Sequence, residues 1–134
     1  VAQMERFSEI IFKKKEIFKF YYQNLINFKG IYRLPVYSEI YKSSSWLFTL
    51  IIDPSLERDA ILNEFYNLGI ELRPTFYSLS EMPPYKKYRH SESLKNSLLL
   101  ASNGISLPSS TTLTKLQLNY IILNFKKIVN KLLE

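Results

Sequence analysis

The sequence predicts an α+β fold, a two-layer domain in which a short mixed sheet is covered by helices. Three observations predict it. Apolar residues recur at helical spacing in two long segments, one near each end of the chain. Between them lies a strongly β-forming apolar run, Trp46 to Asp53, with shorter extended segments around it. The three glycines, Gly30, Gly69 and Gly104, each sit where a helix is expected to stop. The 134 residues suit one domain spanning 1–134, enough to bury roughly two-thirds of the unfolded surface.

Residues 1 to about 27 are predicted as one helix. Met4, Phe7, Ile11, Phe18, Tyr22 and Leu25 form its apolar stripe, and Ile10, Ile17 and Tyr21 widen it. Residues 31–37 (IYRLPVY) read as extended, with Pro35 fitting an edge strand. After the polar break KSSS comes the clearest strand, WLFTLIID at 46–53, apolar on both faces as a covered central strand would be. The next helix has Ser55 as its expected N-cap, Glu57 and Asp59 near its positive end, a stripe of Ile61, Leu62, Phe65 and Leu68, and Gly69 as its stop. Ile70 to Arg73 is a short strand, kept extended by Pro74. Ser91 or Ser93 is expected to open a helix through about Ser102, with Leu94, Leu98 and Ala101 inward and Gly104 at its end. ISLPSS supplies a third short strand, and the last helix starts at Thr114, where TKLQ has the form of a capping box. Leu118, Ile121, Ile122, Phe125, Ile128, Val129 and Leu132 are its stripe.

Composition excludes several classes of function. With no cysteine there are no disulfides and no thiolate metal sites, which fits a reducing, cytoplasmic setting. No apolar run approaches a membrane span, and the N-terminal residues show no basic segment followed by an apolar one, so neither membrane nor secretion is expected. Val1 opens in the middle of a helical pattern, so the chain reads as part of something longer. A formal charge of +6 suggests anionic partners. The cations are nevertheless dispersed: Lys13–Lys15, Lys86–Lys87 and Lys126–Lys127 lie far apart, which argues against a nucleic-acid site. FKKKEIFKFYY interleaves lysine with aromatics, yet its helical spacing favours a core stripe with solvated lysines over a base-stacking platform. The lone histidine, His90, follows KKYR and reads as a surface residue, and Glu57, Asp59 and Glu64 read as a solvated helix face.

What remains is GIELRPTFYSLSEMPPYKKYRH, Gly69 to His90, a loop rich in aromatics, hydroxyls and prolines at the end of a strand. Arg73 can fork onto a carboxylate or phosphate. Tyr77 and Ser80, with Ser78, offer hydroxyls to a polyhydroxylated ligand. Met82, Pro83, Pro84 and Tyr85 would make a stiff apolar wall. The five candidate substrate-binding residues are Arg73, Tyr77, Ser80, Met82 and Tyr85, weighed against a rigid surface loop with Arg73 in a structural ion pair. No residue is assigned to catalysis or to metal.

The order of four motifs resembles the C-terminal part of the DegT/StrS-type sugar aminotransferases. VAQMERFSEIIFKKKEIFKFYYQNL resembles that family's long connecting helix, and SSSWLFTLIID its Ser-x-Trp strand. GIELRPTFYSLSEMPPY resembles its Gly-Ile-x-x-Arg-Pro segment, and SNGISLPSSTTLT its Leu-Pro-Ser segment. Arg73 and Pro74 match the family's Arg-Pro, and Ser80 stands where the family has His or Ser, whereas Ser78 departs from its usual Pro. The EMPPY form is closest to perosamine-synthase-like members. The resemblance implies a pyridoxal-phosphate enzyme that aminates a nucleotide-linked keto-sugar for polysaccharide biosynthesis, usually as a homodimer, with this loop near the active-site mouth. It also implies that the N-terminal large domain, which carries the Schiff-base lysine in a Ser-x-x-Lys context, is the missing partner. No such motif occurs here, so this chain alone is expected to bind no pyridoxal phosphate and to be inactive. A basic α+β nucleic-acid-binding module and a non-catalytic dimerisation domain are the alternatives.

Overall fold

The computed structural model describes residues 1–36, 40, 43–88 and 94–134. Helix α1 (Ala2–Glu5) and α2 (Phe7–Leu25) precede strand β1 (Ile31–Arg33) and β2 (Phe48–Ile52). Then follow α3 (Arg58–Asn67), β3 (Arg73–Pro74), two single 3-10 turns at Leu79–Glu81 and Lys86–Tyr88, α4 (Lys95–Asn103), β4 (Gly104–Leu107) and α5 (Lys115–Leu133). The strands form one sheet in the order β1-β2-β4-β3. The α+β class holds. The sheet, expected to be mixed, pairs antiparallel at all three junctions. The two proline-marked segments lie at its edges, where a missing N–H costs no ladder bond.

One face of the sheet makes the core. Phe48, Leu50 and Ile52 alternate inward along β2 and meet Ile105 and Leu107 of β4. Against them pack Ile17, Phe18, Tyr21 and Leu25 of α2, Ile61 and Phe65 of α3, and the α5 stripe from Leu118 to Val129. Phe48 takes the Phe18 ring edge-on at 5.0 Å and the Tyr21 ring at 5.3 Å, and Phe65 meets Phe125 at 6.2 Å, the offset geometries aromatic rings prefer. The capping box at Thr114 is present: Gln117 N–H donates to Thr114 Oγ1 at 3.3 Å, and Gln117 Oε1 accepts from Thr114 N–H at 2.9 Å.

Several boundaries differ from expectation. The first helix breaks at Arg6 and ends at Leu25, where Ile26 turns extended. Its apolar stripe is buried only from Ile17 onward, and Met4, Phe7 and Phe12 are exposed. Gly30 is therefore not its stop. With φ +93, Gly30 sits where a Cβ would come within 2.4 Å of Val129 Cγ1, so it lets the turn press against α5. Ser55 does not cap α3. Asp53 Oδ1 instead accepts from Ser55 N–H at 2.8 Å in an Asx turn, and Glu57 holds the N-cap position. Gly69 does end α3, at φ +71. β2 starts at Phe48 rather than Trp46, and β3 covers only Arg73 and Pro74. Helix α4 begins at Lys95, and its expected openers Ser91 and Ser93 lie outside the described residues. Leu94, Leu98 and Ala101 are only half-buried, because α4 lies against β2 and β4 away from the core cluster. Gly104 does end α4, as its C-cap, but at φ −80 rather than a positive φ; it also opens β4, and its missing Cβ makes room for the Leu100 carbonyl and Thr75. Among the described residues no helix is long and apolar enough to cross a membrane.

Candidate functional site

The face of the sheet turned away from the core is polar along one row. Thr49 pairs with Ser106, and Ser106 pairs with Arg73, so β2, β4 and β3 each place a polar residue in line. The Thr49 and Ser106 hydroxyls hydrogen-bond across the strands at 2.8 Å. Arg33 of β1 stands opposite Ile51 on the same face. These residues line a groove of about 630 Å³, walled by Leu34, Pro35, Trp46, Phe76 and Leu100. Trp46 is 63% exposed and Phe76 81%, so the walls present bare rings to solvent. A groove with apolar sides and a few convergent polar groups is the usual form of a small-molecule site.

Of the five sequence-derived candidates, only Arg73 lines this groove. Its Nε donates to Glu71 Oε1 at 3.2 Å, with both side chains well exposed, so the guanidinium keeps its remaining donors. Tyr77 is 75% exposed and Tyr85 49%, and both stand on the loop beyond the groove. Met82 is half-buried, and its carbonyl accepts from Tyr85 N–H at 2.9 Å to close the Pro83–Pro84 turn. Ser80 bonds to Ser78 at 2.8 Å, and Ser78 to Ser97 of α4 at 3.1 Å, a hydroxyl chain that ties the loop to that helix. Thr75 fixes the start of the loop: its N–H donates to the Gly104 carbonyl at 3.1 Å and its hydroxyl donates to the Leu100 carbonyl. His90 lies outside the described residues. Glu64 pairs with Lys131 and Asp59 with Arg58, in keeping with a solvated helix face.

Arg33, Thr49 and Ser106 were not among the sequence-derived candidates. One signal for Thr49 lay in β2 itself: Phe48, Leu50 and Ile52 alternate with Thr49 and Ile51, and a strand covered alike on both faces has no reason to place a hydroxyl there. Among the described residues no group of three or more His, Asp or Glu could hold a metal ion.

Among the described residues no lysine withdrawn from solvent stands beside a carboxylate. Covalent attachment needs a lysine amine set opposite an acidic partner for the pyridine nitrogen. Of the described lysines, only Lys14 and Lys126 are partly withdrawn from solvent. Lys14 Nζ donates to the Trp46 and Ser109 carbonyls, and Lys126 sits over the Phe28 ring at 5.6 Å.

Comparison with known proteins places the chain. Residues 1–126 match the model of the DegT/DnrJ/EryC1/StrS aminotransferase family. The chain is 32% identical over 117 residues to a GDP-perosamine synthase of Vibrio cholerae, covering 81% of this chain and 30% of that protein. It is 27% identical over 124 residues to a GDP-perosamine synthase of Caulobacter vibrioides, covering 91% of this chain and 33% of that one. It thus spans about a third of the length of the curated relatives it matches. Among solved structures, the aminotransferase TlmJ of Streptoalloteichus hindustanus superposes with a TM-score of 0.85 at 23% identity, over 98% of this chain and 35% of that one. The sugar aminotransferase CalS13 of Micromonospora echinospora gives 0.79 at 17%, over 92% and 32%. These two likenesses establish the fold.

Proposed function

Because the chain belongs to the DegT/DnrJ/EryC1/StrS aminotransferase family, we propose that it is the C-terminal domain of a pyridoxal-phosphate-dependent aminotransferase acting on a nucleotide-linked keto-sugar of the perosamine type, and that its open sheet face and following loop line the substrate mouth. The observation that carries this is the groove. Two guanidinium groups, Arg33 and Arg73, flank hydroxyls and bare aromatic walls on a face the core helices leave uncovered. Each element suits one part of such a substrate. Guanidinium forks take the oxygens of a diphosphate. The Thr49 and Ser106 hydroxyls, already oriented by their mutual bond, accept or donate to sugar hydroxyls. Trp46 and Phe76 cover apolar ring faces. Tyr77, Ser80, Met82 and Tyr85 form an outer rim that meets the substrate as it enters.

The lysine and the acidic group that hold the cofactor belong to the N-terminal large domain, and the cofactor supplies the electron sink for amino transfer. Met4, Phe7 and Phe12, exposed on the first helices, provide an apolar surface for that domain to cover. The intact enzyme works as a homodimer in the cytoplasm.

The test uses the chain joined to its large domain. Arg73→Ala and Arg33→Ala should each raise KM for the nucleotide-sugar about tenfold or more with a smaller change in kcat, while KM for the amino donor holds. If neither variant moves the nucleotide-sugar KM, the groove is not the mouth. A salt-dependent shift of nucleic acid by the isolated chain would instead favour a basic binding module.

A further inference from the structure

We propose that the chain carries a second binding cavity, adjoining the sheet-face groove at Leu47, Arg73 and Ser106, that takes a small amphipathic carboxylate, with Lys14 as the cation meeting the carboxylate and Leu68, Ile70 and Ile121 as the wall meeting its apolar body. Arg73 lines both spaces, but the inference turns on Lys14 and does not require the sugar reading above.

The cavity exists because β3 is so short. β3 pairs with β4 only through Arg73–Ser106 and Pro74–Ile105. Upstream, the turn at 68–71 runs apart from the continuation of β4 at 107–110 and leaves a space of about 620 Å³ between them. Helix α5 closes it with Gln117, Tyr120 and Ile121, and α2 contributes Lys14. That volume falls within the range of about 300–1,000 Å³ common to small-molecule sites.

The charge on Lys14 is what asks for a ligand. Its Nζ donates to two carbonyls, Trp46 at 3.1 Å and Ser109, both neutral. An ammonium has three N–H donors, so one is left. Two exposed lysines answer a carboxylate: Lys13 has Glu9 at 2.9 Å and Lys131 has Glu64 at 2.9 Å. Lys14 has no such partner among the described residues, although it is half-buried and burial disfavours its charged form. Glu71, the one acidic residue in the lining, is engaged by Arg73 at 3.2 Å. A carboxylate reaching Lys14 would supply the missing anion, while the aliphatic wall would bury the rest of the molecule.

The test is an amide-resolved NMR titration of the 134-residue chain with indole-3-propionate, beside its uncharged primary amide. Saturable shifts should appear at Leu68, Gly69, Ile70 and Ser110 at millimolar concentration or below, and the uncharged amide should bind about tenfold more weakly. Lys14→Met should weaken the carboxylate to the level of the amide. Because Lys14 also ties three segments together, Leu68→Trp is the second variant: at the exposed end of α3 it leaves the core intact and should block binding by filling the space. Absence of saturation by about 10 mM overturns the proposal, as does equal affinity for acid and amide, or shifts confined to Thr49 and Thr75 in the groove.

Discussion

Tyr21 donates its phenol hydroxyl to the carbonyl of Pro108 at 2.8 Å from a ring that has no solvent exposure. The bond joins the middle of α2 to the chain just past β4. Its neighbours do the same at adjacent carbonyls: Ser109 Oγ donates to the Leu107 carbonyl at 3.0 Å, and Lys14 donates to that of Ser109. Three successive carbonyls leaving the sheet are thus met by side chains, as a buried backbone requires.

Tyr21→Phe keeps the buried ring and leaves the Pro108 carbonyl without its donor. Denaturant unfolding should show a loss of about 1–2 kcal/mol with an unchanged m-value. Burial raises the Tyr21 phenol pKa above its ordinary value of 10.0. A raised folded-state pKa means that the native chain holds the proton longer than the unfolded chain. The contribution is complete below pH 10 and is lost as pH rises from there toward the folded value. Wild-type stability should therefore fall more steeply above pH 10 than that of Tyr21→Phe, by at most about 1.4 kcal/mol per pH unit. Parallel curves for the two proteins would contradict this.

Gly30 and Gly69 both have positive φ, +93 and +71, but only Gly30 is crowded. Gly30→Ala brings a Cβ within 2.4 Å of Val129 Cγ1, while at Gly69 nothing lies within 4 Å of that position. Gly69→Ala should cost about 1 kcal/mol, the backbone strain alone. Gly30→Ala should cost about 2–4 kcal/mol, because overpacking of α5 is added. Thermal melts of the two variants side by side check the difference.

Thr49 and Ser106 form a cross-strand hydroxyl pair on the open face. Thr49→Val and Ser106→Ala should each destabilise by about 1 kcal/mol, and the double variant by less than the sum, since it leaves no orphaned partner. A double-mutant cycle with no coupling would show that the bond contributes nothing in solution.

Thr114 caps α5 through a reciprocal pair with Gln117. Thr114→Ala should lower stability by about 1 kcal/mol, and Thr114→Ser should restore most of it. Circular dichroism melts would read both.

Legibility in the sequence followed locality. The α5 stripe from Leu118 to Val129 and its cap, the middle of β2 and the stop at Gly69 are written in neighbouring residues, and each is found where its pattern placed it, whereas Leu132 at the end of the stripe is exposed. Long-range features were not. The α2 stripe looks uniform from Met4 to Leu25, yet nothing local reveals that the sheet reaches only as far as Ile17. Gly30 looked like a helix stop because its real constraint, Val129, is about a hundred residues away. Arg73, which lines the groove, is singled out in the sequence by its Arg-Pro motif. Its companions Arg33, Thr49 and Ser106 come from other strands, and only the register brings them alongside.

The strand order sets a timetable for the nascent chain. The sheet's central pair joins Phe48 to Leu107, roughly 60 residues later in synthesis. Until β4 emerges, β2 has only the edge strand β1 beside it, and a lone two-stranded ribbon is barely stable in water. A polypeptide halted before Gly104 would hold most of the helices and three of the four strands, and still have nothing to close around.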